Sequence, residues 1–275
     1  MTPLWNMSVE RSIGRPHRKP DGGLGLGYGA EVILGLVYPP VCALCHQHRA
    51  DRNQGYVCDA CQGRVRRITE PCCQRCGIPF SGTIIGSQTC AACRKDSWAW
   101  DEARAAAIAE GVTLECIHRL KYQREPWFGT FLSGLMMEAA LPRLIDHSWQ
   151  GVVPVPLHRV KQREREFNQA ERLAAPLAHA LGVPLRTDLV RRREATSSQT
   201  SLSRKDRIGN MRTAFEPARP PQIHGSWILV DDVLTTGATT DGVAAVLKNL
   251  GAERVVVWAV ARAILEIDLL PTRQS

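Results

Sequence analysis

The sequence predicts an α/β fold, a parallel sheet flanked by helices, preceded by a small module held together by metal. Three observations predict it. The apolar run Trp227–Val230 leads into Asp231 and Asp232, then into a threonine-rich loop with a single glycine. From about residue 101 onward, apolar strand-like runs alternate with helical patterns, the usual reading of an α/β chain. Ahead of that, eight of the ten cysteines fall into four Cys-x-x-Cys pairs.

The chain has 275 residues, enough for one medium domain plus a smaller module. It divides by composition into three parts. Residues 1–35 contain Gly22, Gly23, Gly25, Gly27 and Gly29 after a Pro- and Arg-containing tail, and read as a flexible leader. Residues 36–100 carry the paired cysteines, and residues 101–275 carry the α/β pattern. In the last part Thr113–Ala140 reads as helical, with Leu132, Leu135, Met136 and Ala139 on one stripe. Gly151–Val155 reads as a short strand and Gln169–Leu181 as a helix that Pro176 threatens to break. Residues 186–212 are polar and basic without a period and read as a long loop.

The cysteine pairs have metal-ligand spacing. Cys42 and Cys45 are followed, twelve residues on, by Cys58 and Cys61; Cys73 and Cys76 are followed, thirteen residues on, by Cys90 and Cys93. Each pair puts two thiolates on one tight turn, and two turns close a tetrahedral shell around one ion. Four soft sulfurs favour zinc over magnesium or calcium, with an iron–sulfur cluster as the lesser alternative. A closed shell leaves no open position, so both zincs are structural and replace the apolar core so small a module lacks. Cys72 competes with Cys73, but the spacing selects Cys73. His46 and His48 read as surface residues and Cys116 as a core thiol.

The strand at Trp227–Val230 is apolar without interruption, as expected where both faces of a parallel sheet are covered. Ligands of such sheets bind at the carboxyl ends of the strands, where Asp231 and Asp232 stand. The loop Leu234–Thr239 follows, with Thr239 or Thr240 available as a helix cap. Val243, Val246, Leu247 and Leu250 then give one helical face, Gly251 ends it, and Arg254–Val260 is the return strand. The N–H groups and positive dipole end of that helix, with threonine hydroxyls added, form a phosphate cradle. Carboxylates accept hydrogen bonds from vicinal hydroxyls, so acids ahead of a phosphate loop suit a ribose 5-phosphate.

"ILVDDVLTTGATT" resembles the phosphoribosyl pyrophosphate (PRPP) signature of type I phosphoribosyltransferases. Together with the cysteine pairs, "HRLKY" (118–122), "VPVPLHR" (153–159), "REFNQAERLA" (165–174) and "SQTSLSRKDRIGNMRTAF" (198–215), it makes the chain from about 36 to 262 resemble the ComF family of competence-associated proteins. One position departs: Glu166 stands where that family usually has glycine. The resemblance implies a double zinc ribbon followed by a type I phosphoribosyltransferase-like domain. Asp231 and Asp232 would take the ribose hydroxyls, through Mg²⁺ or directly, and would be the catalytic pair of an active enzyme. Thr235, Thr236, Gly237, Ala238 and Thr239 would hold the 5-phosphate. Val155 to Arg159 would approach the pyrophosphate loop position, with Arg159 as a charge partner; Lys121, Arg165, Asn168 and Gln169 would line the site, and residues 191–212 would form a hood over it.

Three function classes follow from that resemblance. The first is a PRPP-binding protein acting in natural transformation, in uptake or processing of single-stranded DNA. The second is an active phosphoribosyltransferase in nucleotide or small-molecule metabolism with no DNA role, transferring a pentosyl group from PRPP. The third is a zinc-module scaffold docking a competence helicase or recombination proteins. Whether catalysis is retained stays open at this level. The net charge of +8 attracts polyanions. Residues 186–212 hold eight Lys or Arg against three acids, an excess of five, and Trp98, Trp100, Tyr122 and Trp127 are candidate stacking surfaces for bases. Without an apolar run near the roughly 18 residues of a membrane span and without a secretory signal pattern, the sequence reads as cytoplasmic.

Overall fold

The computed structural model describes residues 40–80, 88–157, 167–193, 214–218 and 222–264. Pro40–Ser275 forms one compact unit, and Met1–Pro39, which contains the expected leader, lies outside the described residues. The described chain runs α1 (Asp59–Gln62), α2 (Ala91–Lys95), β1 (Glu102–Ile108), α3 (Gly111–Tyr122), α4 (Phe128–Leu144), β2 (Gly151–Pro154), α5 (Gln169–Ala180), β3 (Val190–Arg192), β4 (Phe215–Pro217), β5 (Ser226–Leu234), α6 (Ala238–Asn249) and β6 (Arg254–Arg262).

Four strands form one parallel sheet in the order β1-β6-β5-β2. All four therefore end at the same edge. β5 and β6 are the central strands, and their side chains are buried on both faces, which is why they read as unbroken apolar runs. On one face Ile228, Val230, Val256, Trp258 and Val260 pack against α3, α4 and α5. On the other, Trp227, Leu229, Val255, Val257 and Ala259 pack against Val243, Val246 and Leu247 of α6. Among the described residues no helix is long and apolar enough to cross a membrane.

Among the described residues, the buried side chains of the cysteine module join the two clusters on the faces of the sheet. Cys42, Cys58 and Cys61 are buried in the cluster that holds Cys116, Ile117 and Leu120 of α3. Cys73, Cys76 and Cys93 belong to the cluster on the opposite face, with Trp100, Leu234 and α6.

The structure corrects several local expectations. Thr113–Ala140 is two helices, interrupted at 123–127, where Pro126 disfavours helical geometry in the residue before it. Pro176 does not break α5, which runs through it from Gln169 to Ala180. Within 186–212 the structure forms β3, whose antiparallel partner β4 lies just beyond the segment; residues 194–213 lie outside the described residues. Asp231 and Asp232 sit inside β5, which continues to Leu234, so the loop shrinks to Thr235, Thr236 and Gly237.

Candidate functional site

The site is built on the end of β5. Side chains alternate along a strand, and the two aspartates meet different partners. Asp232 is buried, and its Oδ1 accepts from Lys121 Nζ of α3 at 2.8 Å. Its second oxygen, Oδ2, is buried without a hydrogen-bond partner among the described residues. Asp231 Oδ1 accepts from the Asp232 amide at 2.8 Å. Burial, then the neighbouring Asp232 charge, pushes Asp231 up from the ordinary carboxylate range to about 7, against the pull of that amide, of Lys121 and of Arg192 on β3. Burial also lowers the Arg192 guanidinium, and Asp231 opposes that shift.

The turn into α6 depends on Gly237. Its φ of 81° lies in the left-handed region, and it is the N-cap residue. Its carbonyl accepts from the Asp241 amide at 2.8 Å and from Thr240 Oγ1 at 2.9 Å. Neither Thr239 nor Thr240 is the cap, contrary to the sequence reading: both lie in the first turn of the helix, and the Thr240 hydroxyl bonds backwards. Thr236 Oγ1 accepts from the Ala238 amide at 3.4 Å. Thr235 and Thr236 are exposed, Thr239 is half-buried, and Gly237 and Ala238 are buried. The first N–H groups of a helix have no partner within it, so this corner presents donors and a positive dipole end shortly after two carboxylates.

Of the other expected site residues, Lys121 joins Asp232 directly, whereas Arg159, Arg165 and Glu166 lie outside the described residues. Asn168 holds the backbone together: its Oδ1 accepts from Ala170 N at 3.0 Å and its Nδ2 donates to Val155 O at 3.1 Å, tying the exit of β2 to the start of α5. Gln169 is buried, its Oε1 without a partner among the described residues. Beside β2 a cleft of about 680 Å³ opens, lined by Pro154, Asn168, Glu171, Thr187, Arg192 and Glu216 among others. Thr187, Glu171 and Glu216 were not singled out in the sequence; no local pattern marks them, because they come from the chain ahead of β3, from α5 and from β4 and meet only at the cleft. That ribbon also consumes charge. Arg191 and Arg193 both pair with Glu216 at 2.9 Å, and Arg186 pairs with Asp188 at 2.8 Å.

The cysteines form two closed groups, Cys42–Cys45–Cys58–Cys61 and Cys73–Cys76–Cys90–Cys93, with all sulfurs of each group within 4.8 Å of one another. Cys42–Cys61, Cys45–Cys58 and Cys76–Cys90 are each 3.7 Å apart. A regular tetrahedron with bonds of about 2.3 Å has an edge of about 3.8 Å, so the spacing fits zinc. Amides of Cys58 and Cys90 donate to Cys42 and Cys73 Sγ at 3.4 and 3.3 Å, which stabilises thiolates. Burial pushes the Cys61 thiol up to about 12, and the Arg64 guanidinium, 3.1 Å from its sulfur, pulls it back. Backbone N–H groups of Gln47 and His48 bring Cys45 down to about 6. Cys72 stays outside both groups, His46 and His48 are exposed, and Cys116 is a fully buried core thiol.

Fold and site together define a protein with two four-cysteine zinc-binding sites in front of a parallel α/β domain. The double zinc ribbon domain family matches residues 33–95. Competence protein F of Haemophilus influenzae is 32% identical over 216 residues, covering 75% of this chain and 90% of that protein. The DNA utilization protein YhgH of Salmonella typhimurium is 31% identical over 233 residues, covering 83% of this chain and all of that protein. The chain belongs to the ComF family. An orotate phosphoribosyltransferase from Aeropyrum pernix aligns with 51% of this chain and 63% of its own, at 20% identity and a TM-score of 0.30, too slight a likeness to argue from.

Proposed function

We propose that this protein binds PRPP or a related phosphoribosyl compound, with Mg²⁺, at the end of β5, and that it serves natural transformation by handling incoming DNA in the cytoplasm. The observation that carries the ligand reading is Asp232 Oδ2, a buried acceptor without a partner among the described residues, just ahead of a helix N-terminus. A buried carboxylate oxygen left open is costly unless something comes to it. A ribose hydroxyl or a magnesium-bound water supplies the missing donor. Asp231 and Asp232 would hold the sugar and the cation; Thr235 to Thr239 would hold the 5-phosphate. Magnesium would offset charge on the pyrophosphate.

The competence role is supported by the relatives named for competence and DNA utilization. Tyr122 and Trp127 are exposed, in keeping with contact to bases. Trp100 is buried and stacked on Trp98, so that pair serves packing instead.

The test is a calorimetric titration of PRPP with Mg²⁺ into wild type and into Asp231→Ala/Asp232→Ala, with pyrophosphate release followed in the same samples. Wild-type binding that the double variant loses supports the reading, and equal binding to both overturns it. Pyrophosphate release with an added amine or base would favour the active-transferase reading over binding alone.

A further inference from the structure

The second cysteine group and the loop after β5 are far apart in sequence and joined in space. Arg75, which stands between Cys73 and Cys76, donates from Nη2 to Trp98 O at 3.3 Å and places its guanidinium 5.8 Å from the Trp100 ring centre. The Trp98 and Trp100 rings stack at 5.2 Å and 12°. They lie against Gly237: a Cβ there would sit 3.6 Å from Trp100 Cζ2 and 3.7 Å from Trp98 Cζ3. Between the two indoles, the Ala99 amide donates to Asp241 Oδ1 at 2.6 Å, and Asp241 is fully buried in the first turn of α6. A second route reaches the other end of the loop. Arg262, buried at the end of β6, donates to Cys76 O at 2.8 Å. It stands in register with Leu234, whose carbonyl accepts from Ala263 N at 3.0 Å.

We infer that the second zinc ribbon is the scaffold of this loop, with Asp241, Trp98 and Trp100 as its positioning residues. Thr235 and Thr236 are exposed, and the loop backbone must hold a left-handed glycine at a helix start. Arg75, through the indole pair that faces Gly237, and Arg262, through its register with Leu234, link both ends of the loop to one metal knuckle. Ordering the amides in advance removes that entropy from the binding step. The consequence for ligands rests on the phosphoribosyl reading above: zinc at Cys73, Cys76, Cys90 and Cys93 and a phosphate ester on the loop then favour each other, and the coupling is reciprocal.

The test uses the full chain with both zincs. Amide exchange of residues 235–238 is measured by mass spectrometry in wild type, Asp241→Asn, Trp100→Ala and Trp100→Phe, and again as a chelator strips zinc. Ribose 5-phosphate affinity is measured on the same samples. Asp241→Asn is expected to keep both zincs, while its loop amides exchange about tenfold faster and its ribose 5-phosphate dissociation constant rises about tenfold, a typical coupling. Trp100→Ala should follow it and Trp100→Phe should stay near wild type, a rescue that general destabilisation does not give. Amides of 151–154 should be unaffected. Zinc loss at Cys90 and Cys93, tracked by alkylation, should loosen the loop, and ribose 5-phosphate should slow that loss. Wild-type exchange rates in the loop of Asp241→Asn and Trp100→Ala, or after zinc loss, overturn the scaffold. Loosening as expected in a wild type that binds no ribose 5-phosphate leaves the scaffold standing and removes the phosphoribosyl reading.

Discussion

Lys121 Nζ lies 2.8 Å from Asp232 Oδ1, an ion pair that joins α3 to β5 across 111 positions of the chain. The Asp232 side chain is 7% exposed and the Lys121 side chain 18%. Breaking a buried pair from one side leaves the other charge stranded. Lys121→Met should therefore destabilise the fold by about 2 kcal/mol, below the range for a fully buried pair because water still reaches the lysine. In the Lys121→Met background, Asp232→Asn should recover part of that loss, since the amide carries no charge to desolvate. Urea denaturation of the four proteins gives the coupling between the two sites. Strictly additive losses would show that the pair contributes nothing beyond its separate packing.

Asp231 makes stability depend on pH. Its carboxyl is pushed from 3.8 to about 7 in the folded chain, by burial first and by Asp232 second. A raised carboxyl binds its proton more tightly when folded. The contribution is therefore fully present below the unfolded value, near 3.8, and is lost as pH rises through about 7. Wild type should lose stability between about pH 4 and 7 relative to Asp231→Asn, in which this titration is absent. Lys121 and Arg192 face the same group and oppose its rise. Identical stability profiles for the two proteins would rule out the raised carboxyl. If Mg²⁺ binds the ionised form, its affinity should climb over the same interval.

Metal content tests the cysteine groups one at a time. The purified chain should hold two zincs by elemental analysis, and Cys58→Ser or Cys93→Ser should each reduce that to one. Cys72→Ser should keep both, because Cys72 lies outside the two groups. The two losses should have different structural effects. Cys42, Cys58 and Cys61 share a core with α3, so loss of the first zinc should loosen α3 and with it Lys121. Cys73, Cys76 and Cys93 pack with Trp100 and α6, so loss of the second should loosen the other face of the sheet. Amide exchange resolves the two patterns; a uniform loosening in both variants would mean that the groups do not act locally.

Those features that were legible in the sequence have local signals. Four Cys-x-x-Cys pairs mark their own ligands. The run Trp227–Val230 marks a strand covered on both faces, and the spacing of Val243, Val246 and Leu247 marks the helix that follows. What was hidden depends on distant chain. Asp241 is an unremarkable acid in a helix until Ala99, 142 positions away, donates to it. The β3–β4 ribbon is too short for a period to show, and its arginines read as loop charge because their partner Glu216 lies beyond the segment. The cap of α6 was misplaced for a chemical reason. Threonine is a good N-cap, but here the left-handed glycine takes that position and the hydroxyl of Thr240 turns back to the Gly237 carbonyl.

Gly237 separates two costs that usually come together. An added Cβ would meet Trp100 and Trp98 at 3.6 and 3.7 Å, which is ordinary contact, so space does not forbid a side chain. The φ of 81° does oppose one, because an L-residue in the left-handed region brings its Cβ close to the carbonyl oxygen. Gly237→Ala should then cost about 1–2 kcal/mol, from the backbone alone. Gly237→Asn should cost less than alanine, because asparagine enters that region more readily. Were sterics in control instead, the larger asparagine would be the worse of the two. Thermal denaturation ranks the variants, and the order glycine, asparagine, alanine is the one the backbone angle demands.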